Sequence, residues 1–282
     1  MGSEIIKLPV IDFSNLKQET ETWEFVKAKV REALEEYGCF EAILPDRKIP
    51  LNLRKSIFDG LSQLFDLPLE TKQRNMSDKH TDGYRGQYKN YPLFESLGIH
   101  HPLIPGKLQS FANLMWTQGN PTFSKSVESI CEELFELDKN VRRMHMDSTY
   151  YLVRYQKYDA PQTNETEVAL PRHTDKNIIT ILYENGVNGL EVMTENGEWI
   201  AFKPSTPNSC IVMAGEAFHV VMAGEKARYS VGLFFVPKSD YLIKAPEEAV
   251  DEEHPLLYKP FLLPRFLEFS YAQDPVSLLK IL

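Results

Sequence analysis

The chain has 282 residues, 43% of them hydrophobic and 25% charged, enough to bury one large core or two modest ones. Its formal net charge of −9 and sequence pI near 5.4 argue against nucleic acid or an anionic membrane surface as the main partner, since both repel an acidic protein. A small-molecule partner and a monomeric, globular protein are expected; no apolar run approaches the roughly 20 residues that a membrane-spanning helix needs.

The three cysteines, Cys39, Cys131 and Cys210, are far apart and lack Cys-x-x-Cys spacing. Neither a disulfide framework nor a zinc ribbon is indicated, and a reducing, cytoplasmic setting is expected. The start, Met1-Gly2-Ser3-Glu4, lacks the basic lead and apolar core of a secretory signal. Gly2 invites an N-myristoyl anchor, but Ile6 stands where Ser or Thr is required, and that reading is rejected.

The first half of the chain reads as helical. Residues 23–37 place Trp23, Val26, Val30, Ala33, Leu34 and Tyr37 at spacings of three and four, with Gly38 as a stop. A second helix is expected over residues 51–65, with Leu53, Ile57, Leu61, Leu64 and Phe65 on one face, and a third over residues 124–144. Residues 81–118, rich in Gly, Tyr, Pro and His, read as a long irregular stretch, a length that is uncommon unless functional.

Near residue 148 the pattern changes to strands. Residues 150–155, 178–183, 190–193, 199–202, 210–213 and 229–236 are short runs of β-branched and aromatic residues. Turn chemistry such as Glu184-Asn185-Gly186 and Glu195-Asn196-Gly197 separates them. Closely spaced strands suggest a barrel or sandwich. The chain therefore divides into a helical region, 1–147, and a strand-rich region, 148–282. The acidic group Glu247, Glu248, Asp251, Glu252 and Glu253 reads as a solvated loop.

The chemistry lies in the second region. In His173-Thr174-Asp175, a His and a carboxylate two positions apart on a strand point to the same face. Both could reach one metal ion, and a distant His could complete a facial triad that leaves positions open for co-substrate and oxygen. In Arg228-Tyr229-Ser230 the same alternation brings Arg228 and Ser230 to one face, and a guanidinium grips a carboxylate in two-pronged, charge-assisted fashion. No His-Glu-x-x-His or Cys-rich signature points to a zinc hydrolase.

These two motifs, with the strand that follows Asp175, resemble the plant soluble iron(II)/2-oxoglutarate-dependent dioxygenases. Leu8-Pro9-Val10-Ile11-Asp12-Phe13 and Glu36-Tyr37-Gly38-Cys39-Phe40 extend the likeness towards the N-terminus. Ser148-Thr149-Tyr150-Tyr151-Leu152, Pro171 to Asn177, and the stretch from Ala245 to Leu256 resemble the AOP-type branch, named for alkenyl- and hydroxyalkyl-glucosinolate-producing enzymes. The resemblance implies an α+β fold in which a helical N-terminal region packs on a double-stranded β-helix, or jelly-roll, core. It implies iron(II) held by His173 and Asp175, 2-oxoglutarate and O2 as co-substrates, and ascorbate as a supporting reductant. It gives Arg228 and Ser230 the distal carboxylate of 2-oxoglutarate. Gln156-Lys157-Tyr158 stands where relatives carry Asn-x-Tyr, which makes Tyr158 a candidate co-substrate contact; a sheet aromatic with a satisfied hydroxyl is the competing reading.

The third ligand is where the chain departs from the family. Relatives carry a hairpin and a metal His between the Gly-Glu-x-Phe strand and Arg-x-Ser, whereas here Gly215-Glu216-Ala217-Phe218-His219 runs straight into Val220-Val221-Met222. His219 is the only His between Asp175 and Arg228, so it is the local candidate for the iron. Two readings stay open: His219 takes the metal role, or it descends from a His that binds no metal and the true ligand is deleted. A one-residue slip on a strand reverses a side chain's direction, which counts against the first. A second shortening falls at Arg142 to Asp147; His145, beside it, reads as a helix-end residue rather than a ligand.

An intact site would oxidise a small specialised metabolite or hormone, hydroxylating or desaturating it while 2-oxoglutarate becomes succinate and CO2. With the third ligand lost, the chain would be an impaired or inactive relative. Substrate choice is expected in the loop from Tyr84 to Tyr91 and in the segment from Phe266 to Tyr271. Phe94, Phe111 and Trp116 are candidates either for an apolar pocket or for plain core.

Overall fold

Thr20 caps the first helix by accepting from the Trp23 amide at 3.3 Å, and Gly38, at φ 65°, ends it in the left-handed conformation that glycine adopts without penalty. In this computed structural model, which describes residues 7–16, 20–76, 83–141, 148–163, 165–194, 196–214, 217–245, 250, 256 and 259–273, that helix is α1 (Glu21–Tyr37). It is followed by α2 (Leu51–Phe65), α3 (Leu69–Lys72), α4 (Lys107–Met115), α5 (Pro121–Val141) and, near the C-terminus, α6 (Leu263–Gln273). His145 and the acidic residues Glu247, Glu248, Asp251, Glu252 and Glu253 lie outside the described residues.

The strands are β1 (Val10–Asp12), β2 (Cys39–Ile43), β3 (Gly83–Arg85), β4 (Phe94–His100), β5 (Thr149–Tyr158), β6 (Glu167–Thr174), β7 (Ile179–Glu184), β8 (Leu190–Met193), β9 (Trp199–Ala201), β10 (Ser209–Met213), β11 (Ala217–Met222), β12 (Arg228–Pro237), β13 (Leu242–Ile243) and β14 (Phe261–Leu262). Eight form a major sheet in the order β1-β2-β10-β7-β12-β5-β4-β3, four form a minor sheet in the order β6-β11-β8-β9, and β13 pairs with β14. The major sheet takes strands from both sides of residue 148. This is the expected α+β architecture, with a jelly-roll of two facing sheets.

Alternation along the strands builds two cores. One face of the major sheet, with Val153, Tyr155, Ile181, Tyr183, Val231 and Leu233, packs against Ile57, Leu61, Val127 and Ile130 of α2 and α5. The other face, with Leu152, Leu182, Ile211, Met213 and Phe234, meets Leu190, Val192, Phe218 and Val220 of the minor sheet. Phe111 and Trp116 belong to the helical core, whereas Phe94 faces the interior between the sheets.

Several elements depart from the sequence reading for identifiable reasons. The stretch 81–118 contains β3, β4 and α4. The interior face of β4 carries Ser96 and Gly98, which break the apolar alternation. In β6, Pro171 masks a strand signal, and β11 is short and irregular in register between Phe218 and Val221. No helix among the described residues is long and apolar enough to cross a membrane.

Candidate active site

His173 sits in β6 and Asp175 one residue past its end; both side chains are buried. Nδ1 of His173 lies 2.9 Å from the Pro171 carbonyl. A carbonyl only accepts, so Nδ1 carries a proton, and in the neutral ring Nε2 keeps its lone pair. That lone pair lies 3.7 Å from Asp175 Oδ1. The other oxygen of Asp175, Oδ2, accepts from the Thr180 hydroxyl. Oδ1 has no hydrogen-bond partner among the described residues. Burial pushes the Asp175 carboxyl up to about 7, partly offset by the Thr180 hydrogen bond and the charge of Lys176. A neutral imidazole and a carboxylate, each held from behind and aimed at one point, make a donor pair for a divalent ion.

His219 does not join them. Register pairs Phe218 with His173 across β11 and β6, and His219 with Glu191 across β11 and β8. Phe218 therefore faces the interior, its ring centroid 4.2 Å from that of His173. His219 faces the other way, where its Nε2 lies 2.6 Å from Glu191 Oε2 and its ring stacks on Trp199 at 3.7 Å. Among the described residues no group of three His, Cys, Asp or Glu side chains could hold a metal ion. Among the described residues iron(II) is thus fitted by two donors and not by a third, and His219 does not complete the three-ligand face expected from the sequence.

The residues expected at the co-substrate end come together on the major sheet. Arg228 pairs with Tyr158, and Ser230 with Gln156 on one side and Glu184 on the other. All five face the interior. The Arg228 guanidinium lies 5.5 Å from the Tyr158 ring centre, and Tyr158 packs on Phe94 at 5.2 Å. Burial raises the Tyr158 phenol, with Arg228 opposing the rise and Asp175 adding to it, so Tyr158 stands electrically between the two motifs. Room for Arg228 comes from Gly189, where a Cβ would meet Arg228 Cδ at 3.3 Å and the Val221 carbonyl at 3.1 Å.

Two residues to which the sequence reading gave no site role, Glu184 and Gln156, complete this end. Glu184 forms a buried ion pair with Arg228 through Oε2 and Nη2, both side chains 1% exposed. Gln156 accepts from the Ser230 hydroxyl at 3.0 Å. A signal existed for Glu184: it is the one charged residue closing the apolar run Ile179 to Tyr183, and a buried charge requires a partner.

Residues 8–96 match the model described as "non-haem dioxygenase in morphine synthesis N-terminal", and residues 148–237 match the 2OG-Fe(II) oxygenase superfamily. A "probable 2-oxoglutarate-dependent dioxygenase AOP1.2" of Arabidopsis thaliana is 43% identical over 95% of this chain and 92% of its own length. The chain belongs to the 2-oxoglutarate-dependent dioxygenases, in their AOP-type branch. The cofactors of this family are iron(II), 2-oxoglutarate and O2. The alignment with that relative runs over 301 residues, more than the chain contains, so the relative carries residues where this member has none. A "probable inactive 2-oxoglutarate-dependent dioxygenase AOP2" of the same plant is 30% identical over 93% of this chain and 92% of its own. Among solved structures, dioxygenase for auxin oxidation from rice superposes with a TM-score of 0.79 at 24% identity, over 98% of this chain and 99% of that one; at that identity the likeness carries the fold alone.

Proposed function

We propose that this chain is a 2-oxoglutarate-binding member of the family whose iron site is impaired for want of a third protein ligand. Its residual chemistry is the family's own: hydroxylation or desaturation of a small specialised metabolite or hormone coupled to conversion of 2-oxoglutarate to succinate. The observation that carries the reading is the direction of His219, which meets Glu191 and Trp199 on the outer face of the minor sheet while Phe218 occupies the place beside His173.

The parts that remain divide the work. His173 and Asp175 would offer iron(II) one imidazole nitrogen and one carboxylate oxygen. Arg228 and Ser230 would hold the distal carboxylate of 2-oxoglutarate, with Tyr158 as the wall beside them. Bound iron supplies the oxygen-activating chemistry; the chain positions co-substrate and substrate and keeps water out of an interior lined by Phe94, Leu182 and Phe234. The residues that its 43%-identical relative carries and this chain lacks support the loss of a segment, and one relative of the branch bears the name "probable inactive".

The opposing reading, a fully active oxygenase with His219 on the iron, needs a one-residue slip of β11. The slip would drive Phe218 and Val220 out of the core and bring His219 and Val221 in, which the burial of Phe218 and Val220 opposes. The test is succinate formation from 2-oxoglutarate with iron(II) and ascorbate in excess, run beside a relative that has all three ligands. The expected rate is at least roughly tenfold lower, in line with the loss of a metal contact; equal rates would contradict the proposal.

A further inference from the structure

We propose that Glu184 is an internal carboxylate that takes the place of the distal carboxylate of 2-oxoglutarate on Arg228, and thereby sets the affinity of this chain for its co-substrate. The inference rests on the reading of Arg228 and Ser230 as the grip on that carboxylate.

Register makes the contact unavoidable. Ser230 of β12 stands directly across from Glu184 of β7, so both side chains point into the interior. Arg228, two residues earlier on β12, shares that face and reaches diagonally to Glu184. The ion pair is closed to solvent, with both side chains 1% exposed, so water does little to screen it. Ser230 is likewise engaged, its hydroxyl donating to Gln156 Oε1 at 3.0 Å. Both groups that would hold a ligand's carboxylate are therefore already engaged by the chain itself.

The guanidinium is not used up. Its Nε has no hydrogen-bond partner among the described residues, and neither has Glu184 Oε1. An entering carboxylate would find Nε available, but would lie against Glu184 in a medium where like charges repel strongly. It must push Glu184 aside, share one guanidinium with it, or wait until Glu184 takes a proton. Each route weakens binding of a dicarboxylate without removing the site. A ligand with the same oxo-acid end and an uncharged amide at the distal end escapes this repulsion.

The test titrates the full-length chain with 2-oxoglutarate by isothermal calorimetry, in wild type, E184Q, R228A and the double variant. E184Q keeps an acceptor for Arg228 Nη2 and removes the charge. It should bind 2-oxoglutarate at least roughly tenfold more tightly than wild type, the scale at which like-charge juxtaposition acts, and R228A should abolish binding in both backgrounds. Equal or weaker binding by folded E184Q, with R228A still abolishing it, overturns the role of Glu184 and leaves Arg228 as the anchor. Unchanged binding by R228A overturns the anchor and, with it, this inference, as does the absence of binding in every variant. Should E184Q fail to fold, wild type decides. It should prefer 2-oxoglutarate over 2-oxoglutaramate by less than roughly fivefold, whereas a preference beyond roughly a hundredfold overturns the proposal.

Discussion

His173 shows how one backbone carbonyl fixes the chemistry of a side chain: Pro171, by accepting from Nδ1, leaves Nε2 with a lone pair directed at Asp175. His219 is the same residue type in a different electrical setting, bound to a carboxylate and stacked on an exposed indole. Replacing His219 with Ala should leave iron(II) affinity unchanged, measured by anaerobic equilibrium titration, and cost about 1 kcal/mol of stability, the usual worth of one hydrogen bond. Glu184 gives a prediction with a definite sign. Burial raises its carboxyl above the ordinary range, with Arg228 offsetting only part of the rise. Between the unfolded and the folded pKa the folded chain holds a proton that the unfolded chain has released, and the stability that this difference confers is lost as pH rises through the folded pKa. Protonation also removes the charge that opposes 2-oxoglutarate. Calorimetric titrations at a series of pH values should show affinity rising as pH falls towards that pKa in wild type and a flatter profile in E184Q; parallel profiles would refute the link. At this scale residue types and the shared face of Arg228 and Ser230 were legible in the sequence, and their partners were not. His173, Asp175, Arg228 and Ser230 follow from two short motifs, whereas the partners of Arg228 and Ser230 come from strands remote in sequence.

Between elements, the decisive quantity is the register of β11 against β6 and β8. Pairing Phe218 with His173 and His219 with Glu191 sends alternate residues to opposite faces. The six strands read from β-branched and aromatic runs stand close to where they were expected, because each has at least one continuously apolar face. β6 and β11 do not stand out as β-branched and aromatic runs, because they carry Pro171, His173 and His219 in place of apolar residues; only their motifs marked them as strands. Gly189 is a second point at which elements meet. A Cβ there would lie 3.1 Å from the Val221 carbonyl, 3.2 Å from Met222 Sδ and 3.3 Å from Arg228 Cδ. Gly189→Ala should displace the Arg228 stem, weaken 2-oxoglutarate binding by roughly tenfold and destabilise the fold by about 1–3 kcal/mol, the range for overpacking. Calorimetric titration and chemical denaturation read the two effects separately, and an alanine variant that matches wild type in both would show that the contact is slack.

Across the whole molecule, the helical layer and the two sheets were largely written in the hydrophobic periodicity, since helices α1, α2 and α5 bury one face each against the major sheet. What periodicity could not give was the way strands from the first half of the chain complete that sheet, because β3 and β4 are paired across long sequence separations and carry glycine and serine where they face the interior. The fold thus retains the family's scaffold, and it buries Arg228 and Ser230 together on one face of the major sheet. Position 218, not 219, faces His173. The most direct measurement is therefore an anaerobic iron(II) titration, in the presence of 2-oxoglutarate, of wild type, F218H and H219A, followed by the visible absorption of the metal chelate. The account predicts weak uptake by wild type and H219A alike, and at least roughly tenfold tighter uptake by F218H that disappears when Asp175 is also replaced by Ala. Tight, stoichiometric iron binding by wild type that is lost in H219A would contradict it.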